Sequence, residues 1–257
     1  MLIDSHAHLD VLNNEDLNKV IERAKKEGVK GIITVGVDLE SSIKAVEIAK
    51  SYDGVYASVG FHPHNAKKVT EDQLERLISL SSEKEVVAWG EIGLDFYKNY
   101  SPKEIQINVL KRQLHIAGRF NLPVIIHDRE AHEQVYGILK EAVDKYGIRG
   151  VIHCFSGDTE LAKRFIEIGF YISIPGTVTY SKASKIRRVV SEIPLDCLLI
   201  ETDSPFLTPY QKKGKRNEPS FVRFVAQEIS LIKGVEFEIV SKKITENTKK
   251  LFNIDEI

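Results

Sequence analysis

Two cysteines in 257 residues, Cys154 and Cys197, are too few and too far apart to frame a disulfide scaffold or a cysteine zinc site. Reduced, cytoplasmic surroundings are the simpler expectation. Net charge is also lacking. The 36 Lys and Arg against 37 Asp and Glu leave a formal −1, which excludes a broad basic face, so any grip on a polyanion must be local. No apolar run approaches the roughly 20 residues of a membrane span. The N-terminus has no basic patch followed by an apolar stretch, so no signal peptide is expected. Low-complexity tracts and interior linkers are missing too, and one domain over residues 1–257 is the expectation.

What is present is a repeating unit: a short apolar run, a polar turn, then a helical segment. The runs are Leu2–Ser5, Gly31–Val35, Val55–Val59, Val86–Trp89, Val124–Ile126, Gly150–Ile152, Phe170–Ile174 and Cys197–Ile200. Each is rich in Val, Ile or Leu and bounded by Gly, Pro or Asp, as buried parallel strands are. Between them Leu17, Val20, Ile21 and Ala24 mark one helical face, closed by Gly28, and Leu161, Ala162, Phe165 and Ile168 another, opened by Asp158. A stretch near Phe237–Phe252 adds a helix for the outside or the bottom. Such alternation suits a closed barrel or an open doubly wound sheet.

The polar residues favour the barrel, because they stand only where strands end. His6 and His8 are two apart, so on a strand they share a face and chelate together. Glu91 follows Val86–Gly90, His127 follows Pro123–Ile126, His153 follows Gly150–Ile152 and Asp203 follows Leu198–Thr202, each at a strand end. Groups so costly to bury would converge on the C-terminal face of a parallel barrel, where active sites form. Several histidines and two carboxylates there are a two-metal inventory. The expected fold is therefore α/β, a single (β/α)8 TIM barrel.

The segments DSHAHLD, VGFHPH, GEIGLDFY, PVIIHDREA, HCFSG and ETDSPFLTP resemble the motifs of the TatD family of metal-dependent deoxyribonucleases, within the amidohydrolase-like barrels. They run in the family's order from residue 4 to 209, and Arg216-Asn217-Glu218-Pro219 continues the pattern. The resemblance implies two divalent ions per chain, Mg, Mn or Zn. His6, His8 and Asp203 would hold one, His127 and His153 the other, with Glu91 bridging and Asp203 serving as general base. Many amidohydrolase-like enzymes bridge with a carbamylated lysine, but Lys84 and Lys98 are wrongly placed for that here.

Other residues carry two readings each. His62 contacts a substrate phosphate or closes a turn with Pro63. Arg129 forks onto a phosphate or pairs with Glu130 or Glu133. Asp95 and Tyr97 orient a ligand or substrate group, or Asp95 caps a loop. Strand alternation turns Cys154 away from the ligand face as a small core residue, and Asp4 is structural or supports a metal ligand from behind. Lys212, Lys213, Lys215 and Arg216 read as a solvated loop on the active face, with guidance of a polyanion as the alternative. The implied activity is hydrolysis of phosphodiester bonds in single-stranded DNA from the 3′ end, by metal-activated water. A hydrolase of small amides, esters or lactones is the alternative, and a non-catalytic metal-holding scaffold the third reading.

Overall fold

The structure is a computed structural model that describes residues 1–12 and 16–255. Eight strands, β1 (Leu2–Ala7), β2 (Val29–Val35), β3 (Val55–Val59), β4 (Val86–Asp95), β5 (Val124–Arg129), β6 (Gly150–Ile152), β7 (Phe170–Ile174) and β8 (Leu198–Ile200), pair in chain order, each parallel to the next. Helices α1 (Leu17–Lys26), α2 (Leu39–Ser51), α3 (Glu71–Leu80), α4 (Lys103–Arg119), α5 (His132–Tyr146), α6 (Thr159–Glu167), α7 (Ser184–Glu192) and α8 (Val222–Lys233) follow the strands, and α9 (Phe237–Phe252) ends the set. Local chemistry fixes several of these ends. Asp38 and Thr70 make reciprocal capping boxes at α2 and α3, Asp158 caps α6, and Gly28 ends α1 at φ +82°.

The sheet closes on itself just past its last strand. Ala7 bridges Ser204, the Asp203 amide donates to the His6 carbonyl at 2.9 Å, and the His8 amide donates to the Ser204 carbonyl at 2.8 Å. The arrangement is a (β/α)8 barrel. Alternation then sorts the side chains. Ile33, Val35, Val87, Ile125, Val151 and Leu199 fill the barrel interior, where Leu251, Phe252 and Ile254 join them from below. The extra helix α9 thus closes the bottom. Its Thr245 hydroxyl donates to the Met1 carbonyl, and the Asn247 amide donates to the Leu195 and Leu198 carbonyls. The opposite faces of the strands pack against the helices in a larger shell containing Val20, Leu77, Leu114, Phe165 and Ile229.

Strand lengths differ from those the apolar runs predict. β1, β4 and β5 continue through His6, Glu91 and His127, which therefore lie within strands and not after them. The ladder persists as Ile92 to Ile126, Gly93 to His127, Leu94 to Asp128 and Asp95 to Arg129. Polar side chains end an apolar run without ending backbone pairing when they face a polar mouth. Cys197 falls in a short turn, and β8 begins one residue later.

Candidate metal centre

Parity carries the apolar interior up into the site. His127 follows Ile125 by two, His153 follows Val151, and Glu201 follows Leu199, so each polar group rises from the wall above an apolar floor. The structure brings together all six residues singled out as metal ligands. His8 Nε2 and His6 Nε2 lie 3.4 and 3.6 Å from Asp203 Oδ1, and 3.3 Å from each other. Glu91 stands beside them, its two oxygens facing different groups. Oε2 is 3.6 Å from His6 Nε2. Oε1 is 2.9 Å from His127 Nδ1, 2.9 Å from His153 Nε2 and 3.4 Å from His62 Nε2.

Three sets have donor atoms within 4.8 Å of one another: His6, His8 and Asp203; His62, Glu91 and His127; and His6, His153 and Glu201. The last includes Glu201, which sequence reasoning missed. Its carboxylate is buried, accepts the Cys154 amide at 2.7 Å and lies 3.4 Å from His153 Nδ1. The signal was available, since an acid two residues after an interior Leu and two before Asp203 has the parity of the site.

Charge here is arranged for a cation. Among the described residues no Lys or Arg side chain contacts Glu91, Asp95, Glu201 or Asp203; imidazoles and backbone amides do. Burial opposes the charge on Glu91, yet His153, His62 and His127 hold its carboxyl well below the ordinary range. Burial likewise opposes a proton on His153, but Glu91 and Glu201 outweigh it and raise the imidazole well above its usual value. His62 goes the other way: burial pushes it down to about 4 despite Glu91, leaving a neutral ring. His6 Nδ1 and Glu201 Oε2 are buried with no hydrogen-bond partner, so the donor set fits divalent ions and is incompletely satisfied by protein alone.

The surrounding residues resolve the paired readings. His62 Nδ1 accepts the His64 amide at the start of the Pro63–Lys68 turn, which is the turn-closing reading, while Nε2 faces Glu91. Asp95 also does two things. It accepts the Lys98 amide at 2.7 Å and, through Oδ2, meets His127 Nε2 at 3.1 Å and His64 Nε2 at 2.9 Å. Gly93, between Glu91 and Asp95, sits at φ +151°, where a Cβ would lie 1.9 Å from the His127 carbonyl oxygen. Asp4 is structural, accepting the Thr202 amide and hydroxyl at 2.9 and 2.5 Å; burial pushes its carboxyl up to about 8 against those bonds.

Three expectations need correction. Arg129 pairs with neither Glu130 nor Glu133. Glu133 is taken by Arg164, and the Arg129 guanidinium lies 4.1 Å over the Tyr97 ring on the wall of the cavity. Cys154 is half-buried and lines the same cavity, because β6 ends at Ile152 and a backbone φ of +45° at Cys154 breaks the alternation. The Lys212–Arg216 loop does not line the metal cavity; its Lys212, Lys215 and Arg216 line a separate cleft against α1.

The cavity above the cluster measures about 800 Å³ and is walled by Val11, Val37, His62, Arg129, Phe206 and Leu207. A parallel barrel with histidines and carboxylates gathered under such a mouth has the form of a metal-dependent hydrolase. The chain belongs to the TatD-related DNase family, whose model matches residues 3–253. It is 46% identical to the uncharacterized metal-dependent hydrolase YabD of Bacillus subtilis, over 99% of this chain and all of that one. It is 34% identical to the 3′-5′ ssDNA/RNA exonuclease TatD of Pantoea ananatis, over 93% of this chain and 94% of that one. The crystal structure of YjjV, a TatD homolog from Escherichia coli, superimposes with a TM-score of 0.93 at 33% identity, over 99% of this chain and 98% of that one. Among the described residues no helix is long and apolar enough to cross a membrane.

Proposed function

We propose that this hydrolase is a single-domain phosphodiesterase that removes nucleotides from the 3′ end of single-stranded DNA. The observation that carries the reading is Glu91, whose two carboxylate oxygens face two histidine sets at the foot of an open cavity. The name of the Pantoea ananatis relative supports the substrate class. In this reading His6, His8 and Asp203 would hold one divalent ion, Mg, Mn or Zn, and His127 and His153 a second, with the Glu91 carboxylate shared between the two sets. When bound, such ions make water a nucleophile near neutral pH and offset charge on the phosphoryl oxygens.

The chain's own residues do the rest. Asp203 takes one proton of the attacking water as the water oxygen bonds phosphorus; the phosphorus bond to the remaining strand's 3′ oxygen breaks, and that oxygen leaves with the electron pair and takes up a proton from solvent. Arg129, its guanidinium 4.1 Å over the Tyr97 ring and unpaired with the acids beside it, presents its fork to a phosphate. His62, neutral and buried, turns its Nε2 toward Glu91 and positions the same phosphate. Metal-dependent release of nucleotides from labelled single-stranded DNA, stopped by a chelator and restored by divalent ions, tests the proposal. The Asp203→Asn protein, purified in parallel, is the control for contaminating nuclease. Degradation of no DNA under any metal, with turnover of a small ester or lactone instead, overturns it.

A further inference from the structure

Beside the metal mouth lies a second concavity of about 430 Å³, between the end of α1 and the segment leading into α8. Arg23, Lys26, Lys212, Lys215 and Arg216 line it, with Glu27 and Glu218 as its acids. Both acids are engaged by arginines. Arg23 forks onto Glu218 at 2.5–3.0 Å, and Arg223 reaches Glu27 at 3.9 Å. Lys26, Lys212, Lys215 and Arg216 have no carboxylate partner among the described residues. A chain with net charge −1 thus concentrates unpaired positive charge in one cleft.

The cleft is joined to the active mouth. The Arg216 guanidinium donates to the Val11 carbonyl at 2.6 Å, and Val11 itself walls the metal cavity. The segment carrying Lys212, Lys215 and Arg216 begins at Phe206 and Leu207, on the cavity rim, where Phe206 is exposed next to His8. A linear polyanion with its end over the metals would cross Val11 or Phe206 and enter the cleft. Inside it, Lys212 Nζ lies 5.3 and 5.4 Å from the centroids of the Phe221 and Phe224 rings, so the charge itself faces the cleft's aromatic residues. Recognition in the cleft therefore falls on the phosphate backbone and is indifferent to sequence.

We infer that this cleft is a backbone-binding exosite for the portion of a single-stranded polynucleotide behind its reacting end. The inference deepens the nuclease reading and rests on it for the identity of the ligand. It is tested by binding, with the Asp203→Asn protein and fluorescent oligonucleotides of about 14 and about 3 nucleotides, the longer within the usual site sizes of about 4–16 nucleotides for such grooves. Lys212→Glu with Lys215→Glu should weaken the long strand about tenfold or more. It should also flatten the slope of log affinity against log salt by about 1.4, two phosphate contacts at about 0.7 each. The short strand should change little. In the cutting enzyme the same pair should raise KM for the long strand and leave turnover of a small phosphodiester unchanged.

Lys213→Glu with Lys242→Glu makes an equal charge change outside the cleft and should have little effect. An unchanged affinity and salt slope overturns the exosite, as does an equal effect from the control pair, which would mean a general field. If the long strand binds through Lys212 and Lys215 but the wild-type protein cuts no DNA, the exosite stands and the nuclease reading falls. If the wild-type protein cuts and the double variant is indistinguishable from it, the reverse holds.

Discussion

Glu91→Gln is the most informative single change at the metal centre. The substitution keeps the side chain's size and one acceptor while removing its negative charge. Glu91 is 4% exposed, with four imidazole nitrogens within 3.6 Å of its oxygens, so little solvent screens it. Removing one partner from a buried charged arrangement costs about 3–5 kcal/mol. Two cations held close also repel, and an amide does not offset that repulsion. Converted to affinity, the loss is about 10²- to 10⁴-fold, shared between the ions because each oxygen faces one set. His127→Ala removes a neutral ligand from one side and leaves His6, His8 and Asp203 intact. The expected order is that Glu91→Gln disturbs both ions and His127→Ala mainly one. Elemental analysis after dialysis against fixed free metal, with activity measured on the same samples, reads the order directly. Two metals per chain and full activity in Glu91→Gln would refute the bridged centre.

Three further outcomes are expected. Asp203→Asn should abolish turnover by more than about 10²-fold, the usual scale of general base catalysis; metal content measured alongside separates loss of the base from loss of the ion. Gly93→Ala should destabilise by about 4 kcal/mol or more, since the backbone is strained for any L side chain and a Cβ would collide with the His127 carbonyl; a thermal melt within a few degrees of wild type would contradict this. His132 donates toward Asp128 at 2.8 Å, and that hydrogen bond raises its pKa in the folded state. Its contribution should be fully present below the ordinary imidazole pKa and lost as pH rises through the raised one, staying below about 1 kcal/mol because the pair is partly exposed. Urea midpoints of wild type and His132→Gln should converge toward alkaline pH, and a gap that widens there would reverse the sign.

The barrel was legible in the sequence because each of its strands is an apolar run with turn residues on both sides, and because the ligands stand at matching parity. Strand ends were less legible. The run Val86–Trp89 stops where polar residues begin, but β4 continues to Asp95 because its ladder with β5 pairs backbone and is blind to side chains. Cys154 was misread since alternation holds only while the chain stays extended, and the backbone turns there. Glu201 escaped notice as part of an apparent strand-to-loop passage, although its spacing from Asp203 put it on the same wall. The cleft beside α1 was out of reach of sequence because Arg23 and Lys26 meet Lys212 and Lys215 only in the folded barrel.

The seam of the barrel has a consequence in time. His6 and His8 precede in synthesis, by roughly 195 residues, the partner that completes their set, Asp203, which also closes the seam through the His6 carbonyl. At about 5–20 residues per second, roughly 10–40 s of synthesis separate the two. During that interval the growing chain carries two histidines without their carboxylate. A fragment that stops before Asp203 lacks both the seam and the finished His6, His8 and Asp203 set. Assembly of that set is thereby tied to synthesis as far as Asp203 and to closure of the seam.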